Sequence, residues 1–257
     1  MALEARDRGA VVLPGYNVPG HDDISRTMQV YEALSIMIAV SLLVVHAVRI
    51  SRFPSFEWWL VPVGLVGAVS ADFVSGVVHW AADTWGRETL PVIGRRLLRP
   101  FRVHHVNPDD FLRRGFLDVN GDVATIVAVF LLSAFAISTG TAWGRMAEVF
   151  MTAFCLVGLP TNQVHQWAHF HEVPRVVDLL QRSGLILGRT AHARHHVSPF
   201  ARNFCIATGW CNRPLTNLRL FPRLERLVTR LTGLKPRDDE HAFQANLGIL
   251  PGDRDND

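Results

Sequence analysis

Eight of the twelve histidines of the chain lie in four short segments that read HWAAD, FRVHH, HQWAH and HARHH. The residues are His79, His104, His105, His165, His169, His192, His195 and His196. Imidazole nitrogens are good ligands for zinc, copper, iron and nickel. The pattern therefore predicts a metal site assembled from segments that lie far apart in the sequence.

Spacing within the segments supports this interpretation. Residues at i and i+4, or at i, i+3 and i+4, project from one face of a helix. Three segments have this spacing: His79 with Asp83, His165 with His169, and His192 with His195 and His196. At this histidine frequency HxxxH is expected about 0.6 times by chance, whereas HxxHH is expected only on the order of 0.03 times. The HARHH segment is thus the most informative.

The number and type of these residues narrow the choice of metal. A zinc site needs three or four ligands, and a zinc protease also needs the glutamate of HExxH as its general base. Position 166 is Gln, so that base is missing. Carboxylate di-iron bundles use ExxH repeats, and the sequence contains none. Eight histidines with Asp83 instead match two iron ions that keep open positions for O2.

Long apolar runs must position these segments. Hydrophobic residues make up 49% of the chain, and they are gathered into four runs that can each cross about 30 Å of hydrocarbon. The expected spans are residues 33–50, 58–82, 123–143 and 146–167. Four spans bring all the histidine segments to one side of the membrane. The sequence therefore predicts an all-α, four-transmembrane-helix protein with a histidine-rich cap.

The distribution of arginine predicts the orientation of this protein. Only Arg49, Arg52 and Arg145 lie in the loops of one side, whereas segment 83–122 and the chain after residue 167 are rich in arginine. Basic residues favour the cytoplasmic side of short loops. The cap and both termini are thus expected in the cytoplasm, with the chain in a bacterial-type inner membrane. The formal charge of +3 is then explained by the arginines that orient the chain in the membrane, and no nucleic-acid partner is expected.

Three regions are expected along the chain. Residues 1–31 form a cytoplasmic N-terminal arm, residues 32–232 form the membrane domain with its cap, and residues 233–257 form a C-terminal tail. Segment 213–231 is expected to be an amphipathic helix at the membrane interface that covers the site. Of three cysteines none forms a CxxC pair, so cysteine predicts neither a disulfide framework nor a thiolate metal site.

Five strings resemble the plasmanylethanolamine desaturases, a group related to the membrane fatty-acid desaturases. They are SGVVHWAADTWG (75–86), RPFRVHH (99–105), NGD (120–122), TNQVHQWAH (161–169), and HHVSP followed by FCIATGW (195–210). The resemblance implies removal of two hydrogens from adjacent carbons of a lipid chain, with O2 and two external electrons. In the plasmalogen-forming members, an alkyl ether of a plasmanyl phospholipid becomes a vinyl ether. The implied partners are the phospholipid substrate and an electron donor, either cytochrome b5-like, a ferredoxin or a reductase.

The expected metal residues are the eight histidines and Asp83. Asp83 stands where ordinary desaturases have a second histidine, and Phe101 stands where HxxHH would begin. Asp83 is expected either as a ligand or as an acceptor that fixes the tautomer of a ligand histidine. Four polar residues are expected to bond to the ligands or to contact substrate: Asn120, Asp122, Asn162 and Gln163. For the first two, a helix N-cap before the third span is the ordinary explanation.

Two other functions remain open on the sequence. One keeps the metal site but changes the lipid, giving an acyl-chain desaturase or hydroxylase that acts on a phospholipid. The other is a non-enzymatic membrane protein that binds zinc or copper. A transporter would place its ligands near the middle of the membrane, whereas these histidines lie at the ends of the expected spans.

Overall fold

The computed structural model describes residues 24–55, 57–87, 89–197 and 200–237. Over these residues the chain is helical and contains no strand. A π-helical turn, Gly94–Leu98, leads directly into the third helix. The α-helices are α1 (Arg26–Ser51), α2 (Leu60–Thr84), α3 (Arg99–Val106), α4 (Pro108–Arg113), α5 (Phe116–Ala134), α6 (Ala142–Gly158), α7 (Thr161–His169), α8 (Arg175–Arg182), α9 (Arg189–Ala193), α10 (Asn212–Asn217) and α11 (Leu220–Thr232).

Four helical segments among the described residues are long and apolar enough to cross a membrane. They are α1, α2, α5 and the consecutive pair α6 and α7, which together cover Ala142–His169. This confirms the expected all-α fold with four spans. The break between α6 and α7 falls at Pro160, whose ring cannot continue the hydrogen-bond ladder of a helix.

The boundaries of the spans differ from the expected ones. The third begins at Phe116 and ends at Ala134, and the first begins at Arg26, inside the expected N-terminal arm. Polar residues before position 123 suggested a later start for the third span, but they lie within α5. The N-cap explanation of Asn120 and Asp122 is therefore wrong, because Gly115 is the residue that precedes this helix.

Small residues bring the spans close together. α1 packs along α5 and α2 packs along α6. The core between α1, α5 and α6 includes Ala39, Ala124, Ala128 and Cys155, whose short side chains permit close approach of the helices. The outward faces carry exposed valine and leucine, as a surface in contact with lipid requires.

A cluster of ionisable side chains joins three spans at the end of the bundle far from the histidine-rich segments. His46 on α1 is fully buried and lies 2.6 Å from Glu148 on α6, through its Nδ1. Its Nε2 lies 3.0 Å from the carbonyl oxygen of Leu131 on α5. Arg49 Nε lies 3.5 Å from the same oxygen of Glu148. His46 is thus a packing residue of the bundle.

We expect Glu148→Gln to destabilise the bundle without affecting the histidine-rich cap. Removing one partner of a buried ion pair is costly, so the melting temperature should fall by on the order of 5–10 °C. Thermal unfolding of the purified protein in detergent measures this change. Asp178→Asn, which removes an ion pair on the surface of α8, is the control and should leave the melting temperature unchanged. Equal melting temperatures for the two variants would contradict the prediction.

The cap lies over the C-terminal end of α2 and contains α3, α4, α7 and the segments that follow. Trp80 fastens the last helix to α2: its ring packs on Phe221, and its Nε1 donates to Glu225 at 2.9 Å. The same helix, α11, also exposes Leu227 and Leu231. The single helix expected over 213–231 is thus two helices, α10 and α11, separated at Arg219 with φ 47°.

Candidate metal centre

The nine residues expected to bind metal form two neighbouring groups. Within each group, the atoms that could bind a metal all lie within 4.8 Å of one another. The five-histidine group contains His104, His165, His169, His192 and His196, and the Asp83 group contains His79, Asp83, His105 and His195. Most of these side chains are buried.

Local helical geometry explains how the residues divide. His165 and His169 lie one turn apart on α7 and enter the same group. Neighbouring residues on a helix point about 100° apart. His104 and His105 on α3 therefore enter different groups. The segment that begins in α9 also supplies both groups, because His195 turns away from His192 and His196.

The five-histidine group cannot be a network of ordinary hydrogen bonds. Nε2 of His192 lies 3.0 Å from that of His165, 2.7 Å from that of His169 and 3.1 Å from that of His196. One nitrogen carries at most one proton, so it cannot satisfy three nitrogens at once. Two nitrogens bound at right angles about 2.1 Å from one ion stand about 3 Å apart. The buried Nε2 of His104 also has no hydrogen-bond partner. The five nitrogens therefore fit a shared cation.

The Asp83 group has the same character with a carboxylate at its centre. Oδ2 of Asp83 lies 3.2 Å from Nε2 of His79, 3.4 Å from that of His105 and 3.6 Å from that of His195. The Nε2 atoms of His105 and His195 are 3.0 Å apart. Three nitrogens and one oxygen thus face a common point.

Backbone carbonyls fix two rings of the Asp83 group. Nδ1 of His79 donates to the carbonyl oxygen of Phe204 at 3.0 Å, and Nδ1 of His195 donates to that of Arg202 at 2.9 Å. With the proton on Nδ1, the lone pair of Nε2 faces the group. Asp83 lies among the Nε2 atoms, on the side opposite to these carbonyls. Its Oδ2 therefore faces the same point as the Nε2 atoms, where a metal ligand would lie.

Burial keeps three imidazoles of the cap neutral. Desolvation is the largest cause that holds the pKa of His104, His192 and His196 well below its ordinary value. The neighbouring imidazoles lower the pKa further, because a proton on one ring disfavours a proton on the next. Neutral imidazole is the form that binds metal ions.

Three of the four polar residues expected near the site join α5 to α7. Asn120 Nδ2 donates to Gln163 Oε1 at 3.2 Å, and Gln163 Nε2 donates to Gln166 Oε1 at 3.0 Å. Gln166 in turn donates to the carbonyl oxygens of Phe111 and Arg114. Asn162 donates to the carbonyl oxygen of Val119 at 2.9 Å. These bonds hold α7, which carries His165 and His169.

Asp122 has a different position. Both of its oxygens accept from Nε of Arg96 at 3.0 Å, in the π-helical turn before α3. Arg96 also reaches Glu32 on α1 at 3.3 Å. Asp122 thus anchors the start of the segment that carries His104 and His105, and it belongs to neither group.

The remaining histidines lie elsewhere. His171 is exposed and its Nδ1 lies 3.1 Å from Arg189, as its poor fit to the spacing suggests. His21 and His241 lie outside the described residues. No role was predicted from the sequence for Asp72, which is fully buried on α2. A carboxylate in the middle of an apolar run is itself a signal of function.

Comparisons with known proteins agree with this geometry. The lipid desaturase domain matches residues 68–239. Plasmanylethanolamine desaturase of Myxococcus xanthus is 39% identical over 88% of this chain and 81% of its own length. Plasmanylethanolamine desaturase 1 of Mus musculus is 39% identical over 81% of this chain and 80% of its own length. Chloroplastic fatty acid desaturase 4 of Arabidopsis thaliana is 34% identical over 68% of this chain and 53% of its own length.

No solved structure matches the chain significantly. The domain match covers more than half of the chain, and the two plasmanylethanolamine desaturases align over most of it. Four apolar helices and two histidine-rich groups are the features that such a membrane enzyme needs. The chain therefore belongs to the lipid desaturase family and is a membrane oxidoreductase of the plasmanylethanolamine desaturase type.

Proposed function

We propose that this protein forms the vinyl-ether bond of plasmalogens from a plasmanyl phospholipid, with two iron ions, O2 and two external electrons. The observation that carries the proposal is the pair of adjacent groups, with five and four ligand atoms, at the inner end of the bundle. The names of the two relatives with 39% identity support the substrate.

The residues present fit two irons. Each group offers imidazole nitrogens, and one adds a carboxylate, a ligand set suited to iron. The five-histidine group would hold one ion and the Asp83 group the other. When bound, the irons would supply the activation of O2 and the oxidising power needed to break an unactivated C–H bond, which no side-chain acid or base can provide.

Phenylalanine side chains line the two groups. Phe101 packs on His79 at 4.8 Å between ring centroids, and Phe111 packs on His165 at 4.9 Å. Two more rings lie against the Asp83 group, with Phe204 4.9 Å from His195 and Phe200 5.4 Å from His105. Such apolar walls hold the imidazoles in place and exclude bulk water from the reacting carbons.

The depth of the site favours the first carbons of the lipid chain. Trp58 and Trp59 precede α2 and suit one membrane interface. A helix rises 1.5 Å per residue, so His79 lies about 28 Å beyond Leu60, close to the full hydrocarbon thickness of about 30 Å. The carbons next to an ether oxygen lie at this same level, near the glycerol. The middle of an acyl chain lies deeper.

Orientation and electron supply complete the proposal. The arginine-rich segments lie on the side of the cap, so we assign the cap and both termini to the cytoplasmic side of a bacterial-type inner membrane. The external electrons would come from a protein such as a cytochrome b5-like carrier, a ferredoxin or a reductase. An acidic surface on that donor would complement the basic cap.

The substrate is tested in an aerobic host that makes no plasmalogen and is fed an alkyl-ether phospholipid. We expect a product that is two mass units lighter and that contains an acid-labile vinyl ether, together with iron in the purified protein. Iron-loaded protein that forms no vinyl ether would exclude this substrate.

The same lipid analysis separates the alternatives. A double bond within an acyl chain would indicate a fatty-acyl desaturase, a reading that the name of the Arabidopsis relative favours. A gain of sixteen mass units would indicate a hydroxylase. A single zinc ion and unchanged lipids would indicate a non-enzymatic metal-binding protein.

A further inference from the structure

Asp72 holds a non-helical segment of the chain against the middle of α2. Its Oδ1 accepts from the backbone N–H of Thr208 and of Gly209 at 2.8 Å, and its Oδ2 accepts from that of Cys211 at 2.9 Å. Asp72 lies about 18 Å along the helix from Leu60, within the depth of the hydrocarbon. Backbone groups outside a helix need protein partners at that depth, and this carboxylate supplies them.

Further contacts fix the same segment, residues 202–211, which we term the anchor loop. Asn212 closes it with bonds to both the N–H and the carbonyl oxygen of Cys205. Ser75 Oγ accepts from the N–H of Ile206 at 3.1 Å. Gly76 leaves space for the Cys205 sulfur, which a Cβ at position 76 would overlap.

The residues of α2 that contact the anchor loop lie on one face of the helix. Asp72, Ser75, Gly76 and His79 are spaced at i, i+3, i+4 and i+7, and Asp83 follows one turn later. One stripe of α2 therefore runs from the loop contacts to two members of the Asp83 group.

The anchor loop ends at the metal site. Its Phe204 carbonyl accepts from His79 Nδ1 and its Arg202 carbonyl accepts from His195 Nδ1. Both histidines belong to the Asp83 group. A shift of the loop would rotate these two rings and turn their Nε2 atoms away from the ion. Three members of the five-histidine group, His165, His169 and His192, are instead held on α7 and α9.

We propose that Asp72 is a positioning residue for the metal ion of the Asp83 group. It acts through the anchor loop, whose carbonyls orient His79 and His195. This inference rests on the proposed binding of two ions. A carboxylate in the middle of a membrane span thus promotes metal binding at one of the two groups and not at the other.

The test measures iron content and the Mössbauer spectrum of protein loaded with ⁵⁷Fe, for wild type, Asp72→Asn and Asp72→Leu. In the two variants we expect the iron content to fall from about two irons per chain to about one. The affinity of the Asp83 group for iron should fall at least tenfold, and the magnetic coupling between the two irons should be lost. Leucine should have the larger effect, because asparagine keeps one acceptor oxygen. Glu148→Gln removes a buried carboxylate at the other end of the bundle and should keep both irons coupled.

A second pair of variants on α2 tests the loop without changing a charge. Gly76→Ala displaces Cys205 and should cause the same selective loss of one iron. Gly64→Ala places its Cβ in ordinary contact with Val149, 3.5 Å away, and should keep both. If the Asp72 variants do not fold, these two glycine variants test whether the anchor loop positions the metal ligands.

Two results would overturn the positioning role. One is an Asp72 variant, or Gly76→Ala, that keeps two coupled irons. The other is loss of both irons in proportion to unfolded protein, which would make Asp72 a purely structural residue. Wild-type protein that binds no iron would instead refute the proposed function, and this inference with it.

Discussion

We expect His192→Ala to abolish desaturation. Its Nε2 lies within 3.1 Å of the Nε2 atoms of three other histidines, so it stands at the centre of the five-histidine group. Loss of this nitrogen removes a ligand and leaves a cavity that water can enter. Activity should fall at least about a hundredfold, and iron content should fall with it. Lipid mass spectrometry of the fed host and metal analysis of the purified variant measure the two effects.

His171→Ala is the matched control for this prediction. His171 follows α7 by two residues but is exposed and belongs to neither group. We expect activity and iron content within about twofold of wild type, as for most surface substitutions. A His192→Ala protein that retains both irons and full activity would show that the five-histidine group is not a metal site.

The sequence predicted which residues lie close together better than it predicted their arrangement. Helical spacing shows that His165 and His169 share a face, because this follows from the geometry of one helix. It does not show which group each of His104 and His105 enters, since that depends on which helices pack around α3. Long-range packing also decides that the chain near Phe204 returns to α2 and bonds to His79.

The ends of the spans were harder to predict for a related reason. Polar residues at 118–122 interrupt the apolar run, and hydropathy therefore placed the third span after them. In the structure Asp118 and Asp122 remain within α5 because Arg114 and Arg96 pair with them. The role of Asp72 was not predicted either, since its three partners are backbone N–H groups that no side-chain pattern reveals.

The second prediction with a large expected effect is the substitution of Asp83. Its Oδ2 faces three Nε2 atoms and is the carboxylate of the nine expected ligands. Asp83→Ala leaves three imidazoles and removes the negative charge that offsets the charge of the ion. We expect loss of about one iron per chain and at least a hundredfold lower activity. Asp178→Asn, on the surface of α8, is the control and should change neither quantity.

Asp83→His separates the ligand role from the charge. Histidine occupies this position in ordinary desaturases and can bind the ion through nitrogen, so we expect this variant to retain both irons. The lost negative charge should raise the reduction potential of the pair and lower activity, because a carboxylate stabilises the more oxidised metal. If Asp83→Ala also retained two irons, Asp83 would not be a required ligand and would affect activity only through its charge. The three histidines of the Asp83 group would then hold the ion together with a water molecule.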